Sequence, residues 1–148
     1  MDLTQKHICQ ITGLTPRQVL YYTERGLITA SVEETPGRGH YRVYGLYNLF
    51  EFYVLKEFIS HGVGIGKLWS IMDQLRAYIF KGRHDKSVFK LDFLGYGLCM
   101  FVKNDGSCFF SHHKDGLPIG DFFNSNSYIV IYLWKIKDDI SILLEPLS

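Results

Sequence analysis

Residues Thr15 to Ile28 read TPRQVLYYTERGLI. The stretch carries its own start and stop. Thr15 has the short hydroxyl side chain that accepts from the N–H groups of a helix's first turn. Pro16 follows at the first helical position, where a missing N–H costs nothing. Gly26 supplies the left-handed residue that ends such a helix, and Leu27 and Ile28 lead into an extended segment. Between these signals lies a short helix with paired tyrosines, Tyr21 and Tyr22.

Upstream, Thr4 caps a helix running to about Ile11, with Ile8 and Ile11 three apart on one face and Cys9 as a small buried residue. Gly13 permits the left-handed turn that ends it, and Leu14 plugs the turn. Two short helices joined by a tight glycine turn give the helix-turn-helix shape, whose second helix enters a DNA major groove. In that helix Val19 and Leu20 look inward or along the hinge. Arg17, Gln18 and Tyr21 lie on the exposed face near its N-terminal end. Gln can pair with an adenine edge, Arg with guanine or phosphate, and a Tyr hydroxyl with phosphate. A polar solvent face with a packed tyrosine pair fits the same residues, so the flanking sequence decides.

Downstream lies GRGHYRVY, Gly37 to Tyr44. Pro36, Gly37 and Gly39 mark a turn, and Arg38, His40, Tyr41, Arg42 and Tyr44 alternate along a returning strand, which reads as a wing. Two arginines and two tyrosines on one hairpin suit a phosphate backbone. Tyr44 taken alone reads equally well as core. A helix follows from about Leu46 to Ser60, with Leu49, Phe52, Leu55, Phe58 and Ile59 at helical spacing, and His61-Gly62 stops it. Another starts near Ile65 and reaches Ile79 or Phe80, with Leu68, Ile71 or Met72, Leu75 and Ile79 as its stripe.

The order TGLTPRQVLYYTERGLI, then GHYRVYGLYNL, then KEFISHGVGIGKLWSIM resembles the DNA-binding domain of the MerR family of transcriptional regulators over about Thr4 to Leu75. The resemblance implies a winged helix-turn-helix, acting as a symmetric dimer on a palindromic operator of double-stranded DNA. The candidate DNA-facing set is Thr15, Arg17, Gln18, Tyr21 and Tyr22 from the helix with Arg38, His40, Tyr41, Arg42 and Tyr44 from the wing. Two positions depart from the family pattern. Leu20 stands where an arginine usually precedes the tyrosine pair, which removes one phosphate grip. The fourth helix meets Lys81, Gly82 and the polar run Arg83 to Lys86, which leaves no room for the long antiparallel coiled coil.

Bulk properties agree with a folded chain. Its 148 residues fit one or two small domains, and 47% hydrophobic with 16% aromatic residues exclude wholesale disorder. Residues 1–82 hold nine Lys/Arg against seven Asp/Glu, and residues 83–148 hold seven against eight, which recovers the net +1. Neither half is a basic block, so DNA affinity calls for a local patch and dimerisation. The longest apolar runs fall short of the ~18 residues of a membrane span, and MDLTQKH lacks a signal-peptide core. Cys9, Cys99 and Cys108 sit at no metal-finger spacing and read as reduced thiols of a cytoplasmic protein.

From Val88 the period changes to alternation, with Phe89, Leu91 and Phe93 on one face of an expected strand. Leu98–Val102 and Ser107–Ser111 flank the hairpin signal Asn104-Asp105-Gly106, which sets Cys99 opposite His112 and Cys108 opposite Lys103. At those heights the cysteines with His112 and His113 form neither a disulfide nor a compact ligand set, and no metal or other cofactor is expected. Tyr128–Tyr132 (YIVIY) suits a central strand. Leu133, Ile136, Ile140, Leu143 and Leu144 recur at the spacing of a closing amphipathic helix, which Glu145-Pro146 ends. The expected fold class is α+β: a winged helical domain over 1–82, and a small β-rich unit with a closing helix over 83–148. The aromatic load of the second unit serves ordinary core, a pocket for a small apolar or aromatic effector, or a homodimer interface in place of the coil. No nucleophile elbow, phosphate loop or metalloprotease spacing is present, so enzyme activity is not expected. Besides the transcriptional regulator, the same fold serves a protein-interaction or adaptor module, or an excisionase-like DNA-architectural factor.

Overall fold

The computed structural model describes residues 1–34, 41–81, 86–112 and 128–147. Helix α1 spans Gln5–Thr12 and α2 spans Pro16–Glu24. Strands β1 (Val32–Glu34) and β2 (Tyr41–Val43) pair antiparallel, Val32 opposite Val43 and Glu33 opposite Arg42. Helices α3 (Leu46–Ser60) and α4 (Ile65–Phe80) follow. Strands β3 (Leu98–Lys103), β4 (Cys108–His112) and β5 (Tyr128–Tyr132) lead to a C-terminal helix α5 (Leu133–Leu144). The class is α+β, with a helical, winged N-terminal half and a three-stranded antiparallel sheet behind it. No helix among the described residues is long and apolar enough to cross a membrane.

The cap signals act as their chemistry dictates. The Thr4 hydroxyl accepts from the His7 N–H at 3.4 Å, and the Thr4 N–H donates to His7 Nδ1 at 3.1 Å. Gly13 is left-handed, with φ 77°, and the chain turns there without the steric cost a side chain brings. Leu14 is buried in that turn. Its N–H donates to the Thr12 hydroxyl, which itself donates to the Ile8 carbonyl. The Gln5 amide then reaches the Pro16 carbonyl at 2.8 Å and fixes the start of α2 against α1.

Helix α3 is buried nearly all round, and its position explains why. Its apolar positions do not fall on one stripe, because Tyr47, Leu49, Phe50, Phe52, Tyr53, Val54, Leu55 and Phe58 are all buried. One side packs on α1 and α4, and another is covered by α5 and Phe89. The core therefore runs without a break from Ile8 and Val19 through α3 to Met100, Ile136 and Ile140. Burial of this extent is the main stabilising term of a small protein.

Four expectations for the second half are corrected. Residues 88–93 are not a strand but parts of two 3-10 turns, Lys86–Val88 and Leu91–Phe93. The sheet among the described residues has the order β4-β3-β5 and does not include this segment. The segment docks instead through Phe89, whose ring stacks on Phe50 at 5.4 Å. YIVIY is an edge strand, and β3 is the central one. The hairpin register is one residue from that expected, with Cys99 opposite Ser111 and Cys108 opposite Val102. The cause is a three-residue loop closed by left-handed Gly106 (φ 87°). In α5 the buried set is Leu133, Ile136, Ile140 and Leu144, while Leu143 faces outward.

Candidate nucleic-acid interface

The N-terminus of α2 is built by a reciprocal cap. The Thr15 hydroxyl accepts from the Gln18 N–H at 3.1 Å, and Gln18 Oε1 accepts from the Thr15 N–H at 2.9 Å. Pro16 occupies the first turn. The cap uses Gln18's carbonyl oxygen and leaves its amide N–H groups as donors. The oxygen keeps a second lone pair, so an adenine edge that meets Gln18 has to share this oxygen with the cap. Arg17 is exposed, as is Thr15. One turn on, Tyr21 is 39% exposed, with the Arg25 guanidinium 5.0 Å from its ring centre. Tyr22 meets Tyr21 edge to face at 5.2 Å and is half-buried, and burial pushes its phenol above the ordinary value. The N-terminal two turns of α2 thus present exposed Arg17 and Tyr21 with half-buried Gln18 and no carboxylate, and exposed Glu24 and Arg25 follow at the helix end.

The wing root is tied to this helix by a side chain that the sequence left between two roles. Tyr44 is 1% exposed, and its hydroxyl lies 3.0 Å from the Thr23 hydroxyl near the end of α2. Its backbone pairs with Leu3 in both directions at 2.8 Å. Tyr44 is a structural brace between wing and helix, and a buried ring cannot also offer its hydroxyl to a phosphate. Thr23 in turn donates to the Val19 carbonyl at 2.8 Å. Tyr44→Phe is expected to lower stability by about 0.5–1.5 kcal/mol, the net value of a buried hydrogen bond. Urea denaturation measures it, and an unchanged midpoint counts against the bracing role. Arg42 is half-buried on β2, opposite Glu33. Tyr41 opens β2, while Arg38 and His40 lie outside the described residues.

Beneath the interface lies a polar network that sequence reasoning missed. Glu51, in the middle of α3, is 0% exposed and paired with Arg76 of α4. Arg76 Nε donates to Glu51 at 2.8 Å, and a terminal N–H donates to the Leu27 carbonyl at the exit of α2. Asn48 extends the network to the wing root: it donates to the Thr29 carbonyl at 2.8 Å and to Glu51 at 3.3 Å, and accepts from the Ser31 hydroxyl and the Gly45 N–H. Burial pushes the Glu51 carboxyl up, opposed by the charge of Arg76. One warning was in the sequence: a lone acid inside the apolar run LFEFYVL must find a partner. Its partner lies 25 residues away, beyond any local spacing.

The described residues contain no group of three or more His, Cys, Asp or Glu able to hold a metal. Burial pushes all three thiols up, Cys108 to about 12, which makes them poor nucleophiles. The β3–β4 hairpin is held to α4 by Gln74, which accepts from the Cys108 N–H at 2.7 Å and donates to the Gly106 carbonyl at 2.9 Å.

Residues 3–75 match the family model described as the MerR HTH family regulatory protein. The chain is also 28% identical over 68 residues to uncharacterized HTH-type transcriptional regulators of Mycobacterium bovis and of two Mycobacterium tuberculosis strains. The alignment covers 46% of this chain and 30% of each relative.

Proposed function

Residues 3–75 belong to the MerR helix-turn-helix family, and from that premise we propose that the protein is a sequence-specific DNA-binding transcriptional regulator. The observation that carries the reading is the capped, carboxylate-poor start of α2, exposed beside a wing that Tyr44 braces to the same helix. Arg17, Gln18 and Tyr21 enter the groove. Arg42 and the wing segment hold the flanking backbone, and Thr15 and Tyr22 keep the helix in place.

Gln18→Glu tests this cleanly. Glutamate at the third helical position preserves the reciprocal cap, so the fold stays intact while a negative charge faces the phosphates. Electrophoretic shifts on DNA selected from a random library are expected to show at least about tenfold weaker binding, with an unchanged unfolding midpoint. Arg17→Ala relaxes preference at the bases it reads, and Arg42→Ala weakens all sequences alike. If the parent protein selects no preferred sequence at moderate salt, the regulator reading fails and an architectural or adaptor role takes its place.

A palindromic operator requires a pair of chains, and the C-terminal half supplies the surface for it. Ile142 is 63% exposed near the C-terminal end of α5, followed in sequence by exposed Leu143 and Leu147, and Tyr132 is exposed at the opposite end of the helix. Glutamate at a central apolar position of such an interface leaves an uncompensated charge there. Ile142→Glu is expected to turn dimers into monomers in sedimentation velocity without unfolding the chain. A variant that still sediments as a dimer places the pairing surface elsewhere.

A further inference from the structure

A cleft of about 690 Å³ opens between the root of the wing, the first turn of α3 and the turn Lys86–Val88. That volume lies in the range of small-molecule sites. Its chemistry is asymmetric. Leu46 and Phe89 make an apolar wall, and Ser31 and Asn48 contribute polar atoms. Lys86 provides the sole charged side chain among the described lining residues. Its ammonium is held 5.1 Å from the centre of the Tyr47 ring. The first turn of α3 forms another wall; Gly45 has no side chain to cap it and only its own N–H is taken, by Asn48 Oδ1, so the positive end of a fifteen-residue helix borders the same space. No carboxylate is among the described lining residues, and Glu51, beneath the cleft, is already paired with Arg76 while also feeling the Lys86 charge.

We infer that this cleft is a binding site for a small organic anion, a carboxylate or sulfonate carried on an apolar or aromatic body. The anionic group meets Lys86 and the start of α3, and the body lies on Phe89 and Leu46. The polar wall explains how such a ligand reaches the DNA-reading surface, a consequence that rests on the regulator reading above. Asn48 holds the Thr29 carbonyl and the Ser31 hydroxyl at the wing root and also touches Glu51, whose partner Arg76 grips the exit of α2. A ligand that presses on Asn48 therefore presses on both DNA-facing elements through one side chain. This places the site at the junction of the two halves, nearer the wing than a pocket inside the small sheet.

The test uses the full chain without DNA and two matched probes: 1-anilinonaphthalene-8-sulfonate and its neutral counterpart N-phenyl-1-naphthylamine. Fluorescence titration is expected to show one saturable sulfonate site per chain and weaker uptake of the neutral probe. Lys86→Gln, a change at an exposed position, is expected to weaken sulfonate binding at least about tenfold with the neutral probe unaffected. Leu46→Trp, which fills the cleft, is expected to remove both. Unfolding midpoints of each variant establish that the fold is kept, and if Leu46→Trp does not fold then Lys86→Gln alone decides. Absence of saturable binding, or sulfonate affinity untouched by Lys86→Gln, overturns the site. DNA binding is measured separately on ligand-free protein, so a failure of the regulator reading leaves this result standing.

Discussion

Arg76→Met is expected to lower stability by about 3–5 kcal/mol near neutral pH, because it leaves the Glu51 carboxylate buried without its counter-charge. Glu51 is wholly buried, Arg76 opposes the desolvation that pushes its carboxyl up, and methionine keeps much of the arginine stem's volume but none of its charge. With that opposition gone, the folded-state value of Glu51 rises further above its unfolded value. A carboxyl raised by folding favours the folded state most at low pH, below its unfolded value. That contribution is lost as pH rises through the folded value. The variant is therefore expected to regain stability on acidification relative to the parent, by urea denaturation across a pH series. A deficit that stays constant or grows toward acid contradicts the assignment. The double variant with Glu51→Leu recovers much of the loss, since an apolar pair in place of a buried ion pair is often neutral. It does not recover all of it, because the Leu27 carbonyl loses the donor that Arg76 supplies.

The second large effect concerns the shared core. Phe50 is 0% exposed and stacks on Phe89 at 5.4 Å with 21° between the rings, beside Tyr47. Truncation to alanine is expected to cost about 3–5 kcal/mol, the usual range for a buried phenylalanine. The more telling outcome is where the loss is felt. Trp69 lies on α4 and Trp134 on α5, so single-tryptophan variants report each half of the chain separately. Because the core is continuous through α3, both reporters are expected to show the same unfolding midpoint, and Phe50→Ala is expected to move both together. A Trp134 transition that stays put while the Trp69 transition falls means that the C-terminal sheet and helix hold themselves up. The coincidence also bears on DNA reading: a helix that anchors the wing root on one side and α5 on the other transmits strain in either direction.

The local chemistry of the first two helices was legible in the chain. Thr4 and Thr15 cap, Pro16 opens, and Gly13 turns left-handed because each of these acts through its own backbone or the next three residues. Helical spacing placed α3 and α4, and the Asn-Asp-Gly signal found the β3–β4 hairpin, because periodicity and turn chemistry are short-range. Arg17 and Tyr21 could be assigned to the exposed face of α2 for the same reason. What the tertiary structure alone decided were the choices between partners. Tyr44 went to Thr23 and the core, Gln18 spent one end of its amide on the cap, and Glu51 found Arg76 across 25 residues of chain. Residues 88–93 alternate like a strand, yet they curl into turns, and Phe89 is buried against Phe50 instead of joining the sheet. Propensity states what a segment can form, and the energy of burying it against a particular neighbour selects among those forms.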